Sequence, residues 1–227
     1  MMVNSAPSRR ALRLHPSAFL LAAQLAQLLL YALLTDQGGA HALLTAFSML
    51  LLVLVVRVVI DSPGHSTLAW GLALSAAALA LLSLLLPLPA LMGVYALMGA
   101  ALYLYAAGSL IVYMLSDETV TTDELYAIGA AFTLLAWGFA YAYQVCQVWL
   151  PGSFTSLTEP ARALSFLDFL FLSFHNLVSA GLADLLPGSG LARVLIMLEQ
   201  FAGVLYVAVV ISRLVGLTVR RRAHPRY

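Results

Sequence analysis

Apolar residues run along this chain in long blocks separated by short polar breaks. A helix that crosses a bilayer needs roughly 20 mostly apolar residues. Six blocks meet that need, at 16–34, 41–60, 67–86, 90–115, 125–150 and 191–219. The breaks carry turn chemistry. TDQGGAH, DSPGHS and PLPA are polar or rich in Pro and Gly, residues that punctuate helices. SDETVTTDE divides the fourth block from the fifth, and Thr121 with Glu124 makes a capping box expected to start the fifth helix. The pattern predicts an all-α membrane protein with six transmembrane helices.

A seventh apolar piece, 161–176, is too short to span and fits a re-entrant helix. Thr158 or Glu159 is the expected cap, with Pro160 at the first helical position. HNLVSAGLADLLP follows, at 175–187. Its Gly, its acid and its Pro break the helical pattern where the chain should be leaving an oily layer. Non-helical backbone at that depth is tolerated only where protein buries it or where it lines a watery cavity. The break therefore has two readings. It is an ion pathway in which carbonyls replace hydration water, or a hairpin walled in by helices that conducts nothing.

Composition strengthens the membrane assignment. The chain is 63% hydrophobic and only 9% charged, with a mean hydropathy of +0.97. Soluble domains are about 25% charged, so this chain cannot clothe a water-facing surface. The net charge of +1 points to no polyanionic partner. One cysteine, Cys146, excludes an internal disulfide, and His15, His41, His65, His175 and His224 show no metal-ligand spacing. No cofactor is expected. The basic, then apolar N-terminus with Ala40-His41-Ala42 imitates a signal peptide, but its apolar run is long for one and is read as a retained first span.

Charge placement sets the orientation. Arg9, Arg10 and Arg13 precede the first span, and Arg220, Arg221, Arg222 and Arg226 follow the last. Both termini are expected to be cytoplasmic, in the cell inner (plasma) membrane, which requires an even number of spans. Arg57 and Asp61 form an i,i+4 pair at the cytoplasmic end of the second span. The basic tail, 220–227, reads as a topology signal and an anchor to membrane lipids, with no nucleic acid. Within the apolar blocks, His175 and Asn176 must find polar partners. Glu199, an acid inside the last span, marks a functional site by default. Asp168 falls near the positive end of the short helix.

The order span, short helix, loop with Gly and Asp-x-x-Pro, span resembles the pore module of potassium channels. More narrowly, the chain is similar to the bacterial six-span ion-channel family, whose members carry a segment like FSFVTLTTLGYGDI-x-P. The matching pieces are FLSFHNLVSAGLADLLP, LAR at 191–193, MLEQ at 197–200 and LYVAVVISRLVGL at 205–217. The likeness covers about 121–217 and is weak over the first four spans. It implies a four-helix N-terminal membrane domain (1–116), a pore module (121–219) and a basic cytoplasmic tail. It also implies a homo-tetramer around a path for monovalent cations (K or Na). A voltage-sensing helix needs a basic residue at every third position, and the fourth span has none. The architecture expected is thus that of a voltage-gated channel, with a re-entrant pore helix and filter-like loop, but without the basic fourth helix.

The resemblance also assigns residues. Ser179, Ala180, Gly181, Leu182, Ala183 and Asp184 take the place of the filter. Gly181 and Asp184 are kept; Leu182 replaces a bracing Tyr and Ala183 replaces a Gly. Ala in a left-handed backbone costs about 1 kcal/mol, so weakly selective or non-potassium-selective cation permeation is expected. Asp184 would ring the outer mouth. Glu199 is expected to bond behind the filter to Ser179, Asn176 or His175. His175 and Asn176 support the filter or line the pathway, with His175 open to pH sensing. Gly203 stands at a hinge or at a close-packing point. Val204, Val207, Ile211 and Val215 line an inner cavity that gates by dewetting, or form a packing or lipid-facing stripe.

Other classes fit less well. Ser173, His175, Asp184 and Glu199 could be cast as a nucleophile and its helpers, but no nucleophile elbow, metal spacing or acid pair supports an enzyme. A transporter would be expected to break helices in both halves. The main alternative is a non-conducting, channel-derived subunit or scaffold.

Overall fold

The computed structural model describes residues 16–34, 41–60, 66–85, 89–116, 122–181 and 184–223, without some side chains near helix ends, among them those of 216–223. The chain is mostly helical. The long helices are α1 (Pro16–Leu34), α2 (His41–Ile60), α3 (Ser66–Leu85), α4 (Pro89–Ser116), α5 (Thr122–Trp149) and α7 (Gly190–Ala223). Each ends within a few residues of its expected place, because Pro, Gly and polar clusters stop apolar helices sharply. Among the described residues four helices are long and apolar enough to cross a membrane: Ser17–Leu34, Ala90–Ser116, Asp123–Trp149 and Gly190–Val215. That fits a membrane-embedded, all-α protein. Thr121, the basic residues before α1 and Asp61 lie outside the described residues, as do the side chains of Arg220, Arg221 and Arg222.

α5 is the centre of the molecule and packs against α1, α4, α6 and α7. Its contact with α4 is built from small side chains. Ala96, Ala100, Ala106 and Ala107 of α4 are buried, as are Ala127, Ala130, Ala131, Ala136 and Ala140 of α5. Small residues let helix backbones approach closely, which is the main source of association where water supplies no hydrophobic drive. Larger aromatic rings pack midway along the same pair of helices. Tyr103 stacks on Trp137 and Tyr141 at centroid distances of 5.9 and 5.5 Å. Polar residues tie α1 in: Thr133 donates to Gln24 at 2.7 Å, and Gln27 donates to Ser48 of α2 at 2.7 Å.

The short helix α6 (Phe166–Leu177) begins six residues later than Pro160 would have it. The reason is a stronger cap. Ser165 accepts from the Asp168 backbone N–H, while the Asp168 carboxylate accepts from the Ser165 backbone N–H, a reciprocal capping box. Pro160 remains in the preceding loop. The pattern also hid two strands. β1 (Phe154–Ser156) pairs antiparallel with β2 (Leu185–Pro187), with Thr155 opposite Leu186. Three residues each are too few to show a period.

Candidate functional site

The break in the apolar pattern stands between α6 and α7. Its geometry starts with how α6 is held. Phe166 inserts its ring against Tyr141, Trp137 and Tyr31, at centroid distances of 4.6, 5.6 and 5.7 Å. Arg162 grips both Asp168 carboxylate oxygens, at 3.1 and 2.8 Å, the bidentate form of the strongest side-chain pairs. Partial burial pushes the Asp168 carboxyl up, but hydrogen bonds from Arg162 and Ser165 outweigh it and hold the group below its ordinary value. Phe169, Leu170, Leu172, Ser173, Asn176 and Leu177 form the buried face.

The far end of α6 turns by a defined motif. The Ala180 N–H bonds the His175 carbonyl at 2.9 Å and the Ser179 N–H bonds the Asn176 carbonyl at 3.0 Å. This pair of bonds is a Schellman turn, which needs a left-handed residue after the helix. Ser179 is that residue, with φ of 53°. Gly181 is left-handed as well, with φ of 68°. Ser179, Ala180 and Gly181 are exposed in the isolated chain. Leu182 and Ala183 lie outside the described residues. The chain resumes at the exposed Asp184, whose carbonyl accepts from Leu157 N–H at 2.8 Å. β2 then clips the return leg to β1, and Ser189 caps α7 by accepting from the Ala192 N–H at 3.1 Å. Both flanks of the loop are therefore anchored.

Behind the loop lies a buried polar network. Glu199 of α7 is fully buried. One of its carboxylate oxygens accepts from Tyr143 Oη of α5, and the other is hydrogen-bonded to Ser173 Oγ of α6. Ser173 Oγ also lies 2.8 Å from the Ala136 carbonyl, and Asn176 Nδ2 donates to Tyr143 Oη at 3.2 Å. Three helices are thus joined through one carboxyl group. Of the partners expected for Glu199, Asn176 is in the network, facing the Glu199 carboxyl and donating to Tyr143 Oη, whereas Ser179 and His175 are not. His175 instead sets Nδ1 2.8 Å from the Phe171 carbonyl, one turn back, with its ring 4.1 Å from the Phe171 ring. Tyr143 and Ser173 carry the network without having been singled out for it. The available signal was Ser173 three residues before Asn176, on the same face of a helix.

Gly203 lies where α7 crosses the end of α6. A Cβ there would stand 2.1 Å from the Leu177 carbonyl oxygen, so only a glycine allows the crossing. Val204, Val207, Ile211 and Val215 lie on one face of α7 and are exposed in the single chain, Val204 at 61% and Val207 at 43%. Among the described residues no three metal-ligating side chains converge. Comparison with known families, with curated proteins and with solved structures finds no match.

Proposed function

We propose that this chain is one subunit of a potassium-channel-like tetramer that passes monovalent cations with weak selectivity. In this reading α1–α5 and α7 cross the membrane six times, both termini are cytoplasmic, and α6 enters and leaves on the outer side. Loop 179–184 forms the narrowest part of a central path. One chain supplies one loop and cannot surround a pore, so a ring of copies is required.

The observation that carries the proposal is the placement of α6. A short helix, too short to span, is wedged between two long apolar ones and ends in an exposed loop whose two flanks are fastened. Its C-terminal end points at that loop. A helix C-terminus carries roughly half a negative charge, which favours a cation there. Left-handed Ser179 and Gly181 flank Ala180, so the described residues at the start of the loop have no helical run. The uncovered valine face of α7 continues below it as the wall of an inner cavity.

The test is single-channel recording of purified protein in a planar bilayer with unequal K and Na. Conductance with little preference between the two ions is expected. Leu182→Tyr combined with Ala183→Gly should raise potassium preference. Absence of current at every voltage and pH would overturn the proposal in favour of a non-conducting, channel-derived subunit.

A further inference from the structure

Polar side chains recur on α7 at every seventh position: Glu199, Tyr206 and Arg213. Seven residues are close to two helical turns, so the three share one face. Each is fastened at a different level. Glu199 bonds Tyr143 and Ser173. Tyr206 Oη donates to the Ile128 carbonyl of α5 at 2.5 Å. Arg213 Nη2 meets Glu124 Oε2 at the start of α5, at 3.1 Å, with side chains only 14% and 4% exposed.

The levels are not equally enclosed. Around Glu199, three helices close together, and Gly203 presses on the Leu177 carbonyl just below. Around Arg213 the packing opens. A cavity of about 20 Å³, walled chiefly by Ile111, Met114, Ile128, Val209 and Val210, separates α4 from α7 beside the ion pair. On the other side Val207, Ile211 and Val215 are exposed in the single chain. The lower half of α7 is thus held on α5 by Tyr206 and Arg213, with space beside it. Separating a buried ion pair without hydrating it strands two charges. The bond is therefore either made, with the helix docked, or broken, with the charges in water. The same level reaches the N-terminal helices, because Asp123, next to Glu124, accepts from Ser17 of α1 at 3.1 Å.

We propose that the Arg213–Glu124 pair is a releasable latch. Closed, it holds the lower half of α7 on α5. Open, it frees that half to move below Tyr206, while the upper half stays fixed by Glu199 and the crossing at Gly203.

The experiment is hydrogen–deuterium exchange on the full chain in lipid nanodiscs, which needs no ion flow and is independent of the channel reading. Glu124→Gln and Arg213→Gln should each speed amide exchange over 207–215 by about tenfold, with 192–203 unchanged. The charge swap E124R/R213E should restore protection. Wild-type protection in both single variants, equal loosening of 192–203, or a swap that restores nothing would overturn the latch. Should the neutral variants fail to fold, Arg213→Lys keeps the charge and loses the planar fork. A smaller rise confined to 207–215 is then expected; no rise, or one spread over all of α7, would overturn it.

Discussion

α5 and α7 are both long and apolar enough to cross a membrane, and they differ in how much of each the rest of the chain covers. The apolar stretch of α5 has a mean hydropathy of 1.5 and is 67% buried inside the chain; that of α7 has 2.3 and is 17% buried. The more apolar helix is the less covered one. In water that would be a contradiction, but lipid tails are as apolar as leucine, so hydropathy does not say whether a helix faces protein or bilayer. Small and polar residues do. α5 is lined with buried alanines, and its Tyr143, Thr133 and Glu124 all reach neighbouring helices. α7 places Glu199, Gly203, Tyr206 and Arg213 on the seam toward α5 and α6, and leaves valines and Ile211 on the open side.

The sharpest way to break this contrast is at Gly203. Gly203→Val drives a side chain into the Leu177 carbonyl, and the backbone cannot yield. A loss of about 3 kcal/mol is expected, seen as loss of the monodisperse species and a lower Tm in detergent. Gly203→Val that melts like the parent would mean α7 does not cross α6 as described.

Glu199 against Ile211 sets the seam beside the open face. Glu199→Leu leaves the Tyr143 hydroxyl without its acceptor, at about 1–3 kcal/mol, while Ser173 keeps the Ala136 carbonyl. Ile211→Ala should change the stability of the isolated subunit by under about 0.5 kcal/mol, while weakening assembly if the open face meets other copies. Thermal melts and size measurement in detergent check both. Equal melting losses in the two variants would erase the distinction between the faces.

A smaller loss than at Gly203 or Glu199 is expected at Asp168, where α6 meets α1 and α5. Asp168→Asn keeps an amide oxygen that can accept from Ser165 but loses the carboxylate charge and the bidentate Arg162 grip, at about 1 kcal/mol. The Asp168 carboxyl is held below its ordinary value, so its contribution is complete above the usual carboxylate range and is lost as pH falls through the lowered value. The stability gap between parent and Asp168→Asn should close in strongly acidic buffer. A gap that persists there would show that the carboxylate charge is not what holds the cap.

Much of the helix framework was legible in the sequence because apolar length and turn residues are local signals. The ends of α1 and α2 fall where the pattern puts them. The start of α6 did not, because the cap expected at Thr158 or Glu159 gave way to Ser165, a choice that rests on Asp168 reaching back and on Phe166 finding an aromatic socket. β1 and β2 were invisible, since their pairing joins residues about thirty apart in sequence and involves only backbone groups. Glu199 stood out as an acid inside an apolar helix, yet its partners depended on which hydroxyls the fold brings near. The seven-residue spacing of Glu199, Tyr206 and Arg213 was available as a pattern, and it marks the seam once α7 is seen against α5.

By itself the sequence determined that the chain belongs in a membrane, where most helices start and stop, and which piece is too short to cross. These follow from composition and from runs of neighbouring residues. Only the tertiary structure decided which face of α7 is covered, how the loop after α6 is anchored, and that Glu199 joins α5 to α6. Those outcomes depend on contacts between residues far apart in the chain, and in an apolar solvent such contacts are chosen by close packing and polar pairing, to which hydropathy is blind.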